Sequence, residues 1–157
     1  MRRFLLDTNM LLGLARGAPW ARWAYNHFGL GNSEVIYYTS VVCVGELLAL
    51  AEKFGWGHQR RSQLNRLLEE WPALPITDPD ILTAYALIDA WSCGKQVTAP
   101  GGASPPKSAV KMGKNDLWVA ATARATRAVL LSTDGDFEHL DGVWLQYERV
   151  DQAATSD

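Results

Sequence analysis

Cysteine and histidine are scarce in this sequence. There are two cysteines, Cys43 and Cys93, and three histidines, His27, His58 and His139, in 157 residues. None is spaced as a zinc ligand set or a disulfide framework would be, which points to a reduced, cytoplasmic protein. Long apolar runs are also lacking. No stretch approaches the roughly 18 residues of a membrane span, so no membrane association is expected. Arg2 and Arg3 precede an apolar stretch, but Asp7 interrupts it, which argues against a signal peptide. Positive charge is not in excess either. Fifteen Lys and Arg stand against 17 Asp and Glu, a net charge of -2, so the basic footprint of a typical nucleic-acid binder is missing. That average hides a local cluster, Lys95, Lys107, Lys111 and Lys114, and a bound cation could invert the sign of clustered carboxylates elsewhere. Repeats are absent. What remains is a composition 48% hydrophobic and 20% charged, ordinary for one globular domain over residues 1–150 with a flexible tail at 151–157.

Strands alternate with helices along the chain. Residues 3–6 read as a strand, followed by a helix from Thr8 to about Arg16 that Gly17 ends. Pro19 starts a second helix, on which Trp20, Trp23, Ala24, His27 and Phe28 share one face, with His27 read as a packing residue. VIYY (35–38) is the second strand; Thr39 or Ser40 caps a helix over 41–54. Another helix runs from His58 to Trp71, with Leu64, Leu67, Leu68 and Trp71 at helical spacing. LPIT (74–77) is expected as a third strand, and Asp78-Pro79 caps a helix to Trp91. Residues 94–114 are rich in Gly, Pro, Ser and Lys and read as a loop longer than most connections. Asn115 or Asp116 then caps a helix to about Arg127, and AVLLST (128–133) and WLQY (144–147) are the last strands. The alternation predicts an α/β sandwich with a mostly parallel sheet, whose ligand sites lie beyond the carboxyl ends of the strands.

Four carboxylates fall at telling places. Asp7 ends the first strand and Asp134 ends AVLLST; Asp116 opens a helix; Glu46 sits in a helix row with Val42 and Leu50. Each has a bland explanation taken singly: helix capping for Asp7 and Asp116, a solvated helix edge for Glu46, a turn for Asp134-Gly135-Asp136. Taken together they are sharper. Parallel strands bring Asp7 and Asp134 to one rim, and two helices can bring Glu46 and Asp116 there. Such carboxylates raise one another's pKa unless a divalent cation sits among them. An all-oxygen set without His or Cys favours Mg²⁺ or Mn²⁺ over zinc, and such ions serve phosphoryl chemistry.

Four stretches, FLLDTNMLL (4–12), SVVCVGELLAL (40–50), KNDLWVAATARAT (114–126) and LLSTDGDFEHLDG (130–142), resemble in order the motifs of PIN-domain proteins, most closely the VapC-type toxin ribonucleases. The resemblance implies a three-layer α/β/α domain with a central mostly parallel sheet, and Mg²⁺- or Mn²⁺-dependent hydrolysis of RNA by an activated water. It implies that Asp7, Glu46, Asp116 and Asp134 form the acidic quartet. Asp136 is an alternative or additional ligand, and Glu46 positions a second ion or the water. Asn9 and Thr133 match polar positions beside the metal, Asn115 is assigned to capping, and His139 is mostly structural. It further implies a VapB-like antitoxin, held in a groove that includes the aromatic and leucine stripes, and a homodimer.

The chain departs from the family in its 94–114 segment, where many members have a short link. A tolerated surface insertion is the plain explanation; an RNA-contacting lid carrying Lys107, Lys111 and Lys114 is the functional one. Other functions compete with a toxin: a PIN-type RNA-processing nuclease, a catalytically inactive PIN domain kept for binding, and an aspartyl phosphatase. The last is disfavoured because Asn9 stands where a second carboxylate is wanted.

Overall fold

Arg2–Leu6 forms β1, and its last three side chains, Phe4, Leu5 and Leu6, are all fully buried. Successive strand residues point to opposite faces, so both faces of this strand are covered. The fold is described from a computed structural model, for residues 1–154. Asp151–Ala154 closes as an exposed turn, and 155–157 of the expected tail lie outside the described residues.

Five strands form one sheet in the order β3-β2-β1-β4-β5: β2 is Val35–Ser40, β3 Ala73–Leu74, β4 Val129–Ser132 and β5 Gln146–Arg149. Each neighbouring pair is parallel. The helices are α1 (Thr8–Ala15), α2 (Pro19–His27), α3 (Val41–Lys53), α4 (His58–Glu70), α5 (Pro79–Ser92) and α6 (Lys114–Thr126). The expected α/β/α architecture is met. The chain proceeds from β1 to β2 and β3 on one side, and from β4 to β5 on the other. The direction therefore reverses next to β1, and that is where a parallel sheet opens a crevice at its carboxyl edge.

Several boundaries differ from the sequence expectation, each for a local reason. The third strand is two residues long, not 74–77, because Pro75 follows Leu74 and has no N–H for the ladder. The last strand begins at Gln146, not 144. The Trp144 N–H is bonded to the Leu140 carbonyl, which holds that residue in a turn. Ser40 caps α3 by accepting from Val42 N. Helix α6 starts at Lys114 after Gly113, so neither Asn115 nor Asp116 is its cap; both lie in its first turn. His27 is exposed and stacks on Trp23 at 4.5 Å rather than packing inside. Gly135–Leu140 is a 3-10 turn capped by Asp134, whose side chain accepts from Asp136 N.

The 94–113 segment is tied down. Trp91 Nε1 donates to the Ala103 carbonyl at 3.2 Å, Val110 N donates to the Ser92 carbonyl at 2.7 Å, and Ala99 and Met112 are buried. Through these contacts the segment packs along α5.

Candidate metal centre

The ladder between β1 and β4 continues past Leu6: Asp7 N donates to the Leu131 carbonyl at 3.1 Å. Asp7 is thereby held in register with Ser132, and their side chains meet. Ser132 Oγ donates to Asp7 Oδ2 at 2.7 Å, and Thr8 N donates to Oδ1 at 2.7 Å. The carboxylate caps α1 as the sequence allows, yet it is 5% exposed and the Ser132 side chain is not exposed at all. Burial, the dominant effect, and the nearby Asp134 raise its pKa, against the opposing hydrogen bonds.

Ser132 does a second job. Its Oγ accepts from Asp134 N at 3.1 Å, which sets where the chain leaves β4. The Tyr147 hydroxyl donates to the Asp134 carbonyl from the other side. Asp134 and Asp136 then face Asp116 from the first turn of α6. One carboxylate oxygen from each of the three lies within 4.8 Å of the others. Burial first, and then the charges of Asp7, Asp134, Asp136 and Glu46, push the Asp116 carboxyl up to about 7. All four charges are negative.

Glu46 reaches the same rim from α3. Its pKa is raised by burial and by Asp7, and the side chains of Thr8 and Asn115 act against that rise. Asp7 and Glu46 are thus coupled to the cluster by charge, while Asp116, Asp134 and Asp136 make its close core.

The polar neighbours differ from those the sequence singled out. Asn9 is exposed on α1, and the inward residue beside Asp7 is Thr8. Ser132, not Thr133, bonds to Asp7; Thr133 contributes its carbonyl, which accepts from Arg149 Nε at 3.4 Å. Along the strand, alternation explains the difference between Ser132 and Thr133: one residue on, the side chain turns to the other face. The signal for Ser132 was its place inside an otherwise apolar strand, two residues before Asp134. His139 contacts Ser92 on α5 at 2.9 Å. Lys107, Lys111 and Lys114 are exposed.

A divalent cation fits this donor set. Three carboxylate oxygens converge, and the four charges that raise the Asp116 pKa are all negative. Thr8 Oγ1 is buried at the same rim, beside Glu46. Hard oxygen donors suit Mg²⁺ or Mn²⁺.

Residues 4–143 match the PIN domain family. No curated protein matches the chain. Among solved structures, it is similar to VapBC2 from Rickettsia felis bound to a DNA fragment from their promoter. That match has 20% identity over 95% of this chain and 99% of the other, with a TM-score of 0.71. It is similar to DNA-bound VapBC from Salmonella typhimurium, at 20% identity over 95% and 98%, TM-score 0.68. It is similar to VapBC-5 from Mycobacterium tuberculosis, a member of the VapBC family of toxin-antitoxin systems, at 24% identity over 96% and 100%, TM-score 0.57. At these identities the structural likeness establishes the fold.

Proposed function

Since the chain belongs to the PIN domain family, we propose that it is a divalent-metal-dependent ribonuclease that hydrolyses RNA phosphodiesters, and the toxin of a toxin-antitoxin pair. The observation that carries the nuclease reading is the convergence of Asp116, Asp134 and Asp136 beside Asp7 and Glu46 at the carboxyl edge of the sheet. Asp116, Asp134 and Asp136 would hold Mg²⁺ or Mn²⁺, with Asp7 as a further ligand, directly or through water. Such an ion supplies a water of lowered pKa and countercharge for the phosphate. Asp7 is pre-set by Ser132 and Thr8 N, so its free lone pairs keep one direction. Glu46, its pKa lifted by burial, accepts a proton more readily than a solvated carboxylate and is suited to take one from the attacking water.

The toxin reading draws on the similarity to VapBC structures. A groove of about 730 Å³ between the end of α1 and α4, lined by Leu14, Arg16, Trp56, Arg60, Leu64 and Leu67, is the proposed seat of a VapB-like antitoxin segment. A cytoplasmic homodimer completes the proposal. No helix among the described residues is long and apolar enough to cross a membrane.

The test is cleavage of a mixed tRNA, rRNA and mRNA pool with Mg²⁺ or Mn²⁺. Discrete cuts that a chelator abolishes are expected. No cutting by folded, partner-free protein on any of the three would sink the nuclease reading and leave a binding module.

Lys107, Lys111 and Lys114 are exposed on or beside the 94–113 segment and take part in neither ion pair among the described residues. Replacing all three with alanine is expected to weaken RNA binding and to flatten the slope of log affinity against log salt by about 2, at about 0.7 per phosphate contact on a single strand. An unchanged slope in a filter-binding salt series excludes these lysines from the RNA path.

A further inference from the structure

Ser92 is the last residue of α5 and is fully buried. Its carbonyl accepts from Val110 N, and its hydroxyl lies 2.9 Å from His139 Nε2 and 3.7 Å from Met112 Sδ. A hydroxyl has one proton, and the imidazole nitrogen is the stronger acceptor. The ring also engages the Asp136 backbone. Trp91 stacks parallel to that ring at 6.4 Å.

Two stretches of backbone meet at this point. One is the inserted segment, which ends at Gly113 where α6 and Asp116 begin. The other is the 3-10 turn that carries Asp136. Phe137 and Leu140, both fully buried, anchor the turn to the core, and the exposed Arg149–Glu138 pair at 2.8 Å ties it to β5. Only the Ser92–His139 contact, among the described side-chain hydrogen bonds, ties it to α5. The carboxylates of Asp116, Asp134 and Asp136 lie close together and repel one another.

We infer that Ser92 and His139 are positioning residues, whose hydrogen bond fixes the rotation of the Gly135–Leu140 turn and so the place of Asp136 relative to Asp116. The inference rests on reading the cluster as a divalent-cation site. It also gives the inserted segment a role: it is the strap that buries Ser92 and holds the joint closed.

The test is Mn²⁺ affinity, read from the free-ion signal in electron paramagnetic resonance, with metal-free melting followed by circular dichroism. Ser92→Ala removes the donor. His139→Phe keeps an aromatic ring against Trp91 but removes both nitrogens. Each is expected to weaken Mn²⁺ binding by about tenfold, the size of effect seen when partners of metal ligands are lost. The double variant should be no weaker than either single one, because one hydrogen bond is removed in all three. His139→Gln, whose side-chain oxygen can accept from Ser92, should stay within about threefold of the wild type, well short of a lost partner's effect. Unchanged affinity in both single variants overturns the proposal. So do effects that multiply in the double variant, a Gln variant as weak as the Phe variant, or a loss of binding that only follows unfolding. A wild type that binds Mn²⁺ no better than Asp116→Asn instead overturns the metal-site reading itself, and this inference with it.

Discussion

Asp7→Asn is expected to lower RNA cleavage by at least about 10²-fold while the protein stays folded. The substitution keeps size and shape. An asparagine oxygen can still accept from Thr8 N, so the start of α1 is preserved. The other half of the side chain changes polarity. Where Oδ2 accepted the Ser132 hydroxyl proton, an amide now donates, and Ser132 Oγ already accepts from Asp134 N. Ser132 must therefore turn its proton elsewhere, which disturbs the point where the chain leaves β4 for Asp134. A charge is lost from the cluster and the exit of the acidic turn is loosened together. Folding should survive, because burial of the Asp7 carboxylate is itself unfavourable. Cleavage assays beside circular dichroism check this; a folded Asp7→Asn protein that cuts as well as wild type removes Asp7 from the catalytic machinery.

Asp116→Asn is expected to do two opposite things: abolish cleavage and raise the melting temperature of the metal-free protein. In the unfolded chain this aspartate titrates near 3.8, whereas in the fold Asp116 is pushed up to about 7. Between those values the folded state binds the additional proton, so stability falls as pH rises through this window, and above about pH 7 the whole penalty is present. After allowing for screening of a half-exposed group, removing the charge should stabilise the metal-free protein by about 1–2 kcal/mol near pH 8. That corresponds to about 3–6 °C for a chain of this size. The wild type should melt higher near pH 6.5 than near pH 8.5 relative to the variant, and the comparison cancels other groups such as His139. Mg²⁺ should reverse the order. At ten times its dissociation constant it stabilises a binding protein by about 1.4 kcal/mol, and the variant should gain little. Differential scanning fluorimetry at two pH values, with and without Mg²⁺, reads all of this. A variant no more stable than wild type at high pH would show that the carboxylates do not repel as their placement implies.

Much of the site is legible in order along the chain because it is built on strand ends. A carboxylate directly after an apolar run, as in RFLLD, or within three residues of it, as in VLLSTD, marks the rim of a buried parallel strand wherever the fold puts it. The Gly135–Leu140 turn and the Ser40 cap follow from local chemistry in the same way. Other features carried weak local signals. Pro75 truncates the third strand, yet the LPIT pattern reads as a longer one. Asn115 and Asp116 are good capping residues by type, but Gly113 takes that place, and this leaves Asp116 inside the first turn of α6.

The periodic pattern and the order of strands and helices determined the fold class, since apolar runs buried on both faces demand a parallel sheet covered by helices. They also determined that acidic side chains would gather at one edge. Which polar neighbours face that edge was decided only by tertiary structure. Ser132 meets Asp7 across 125 positions of sequence because the β1–β4 register sets them side by side. Thr8 is buried where Asn9 is exposed, and Ser92 meets His139 where the 94–113 segment packs against α5. Strand register and helix rotation each advance in steps of one residue, and a single step exchanges an inward side chain for an outward one. Composition and spacing are nearly blind to that step; packing fixes it.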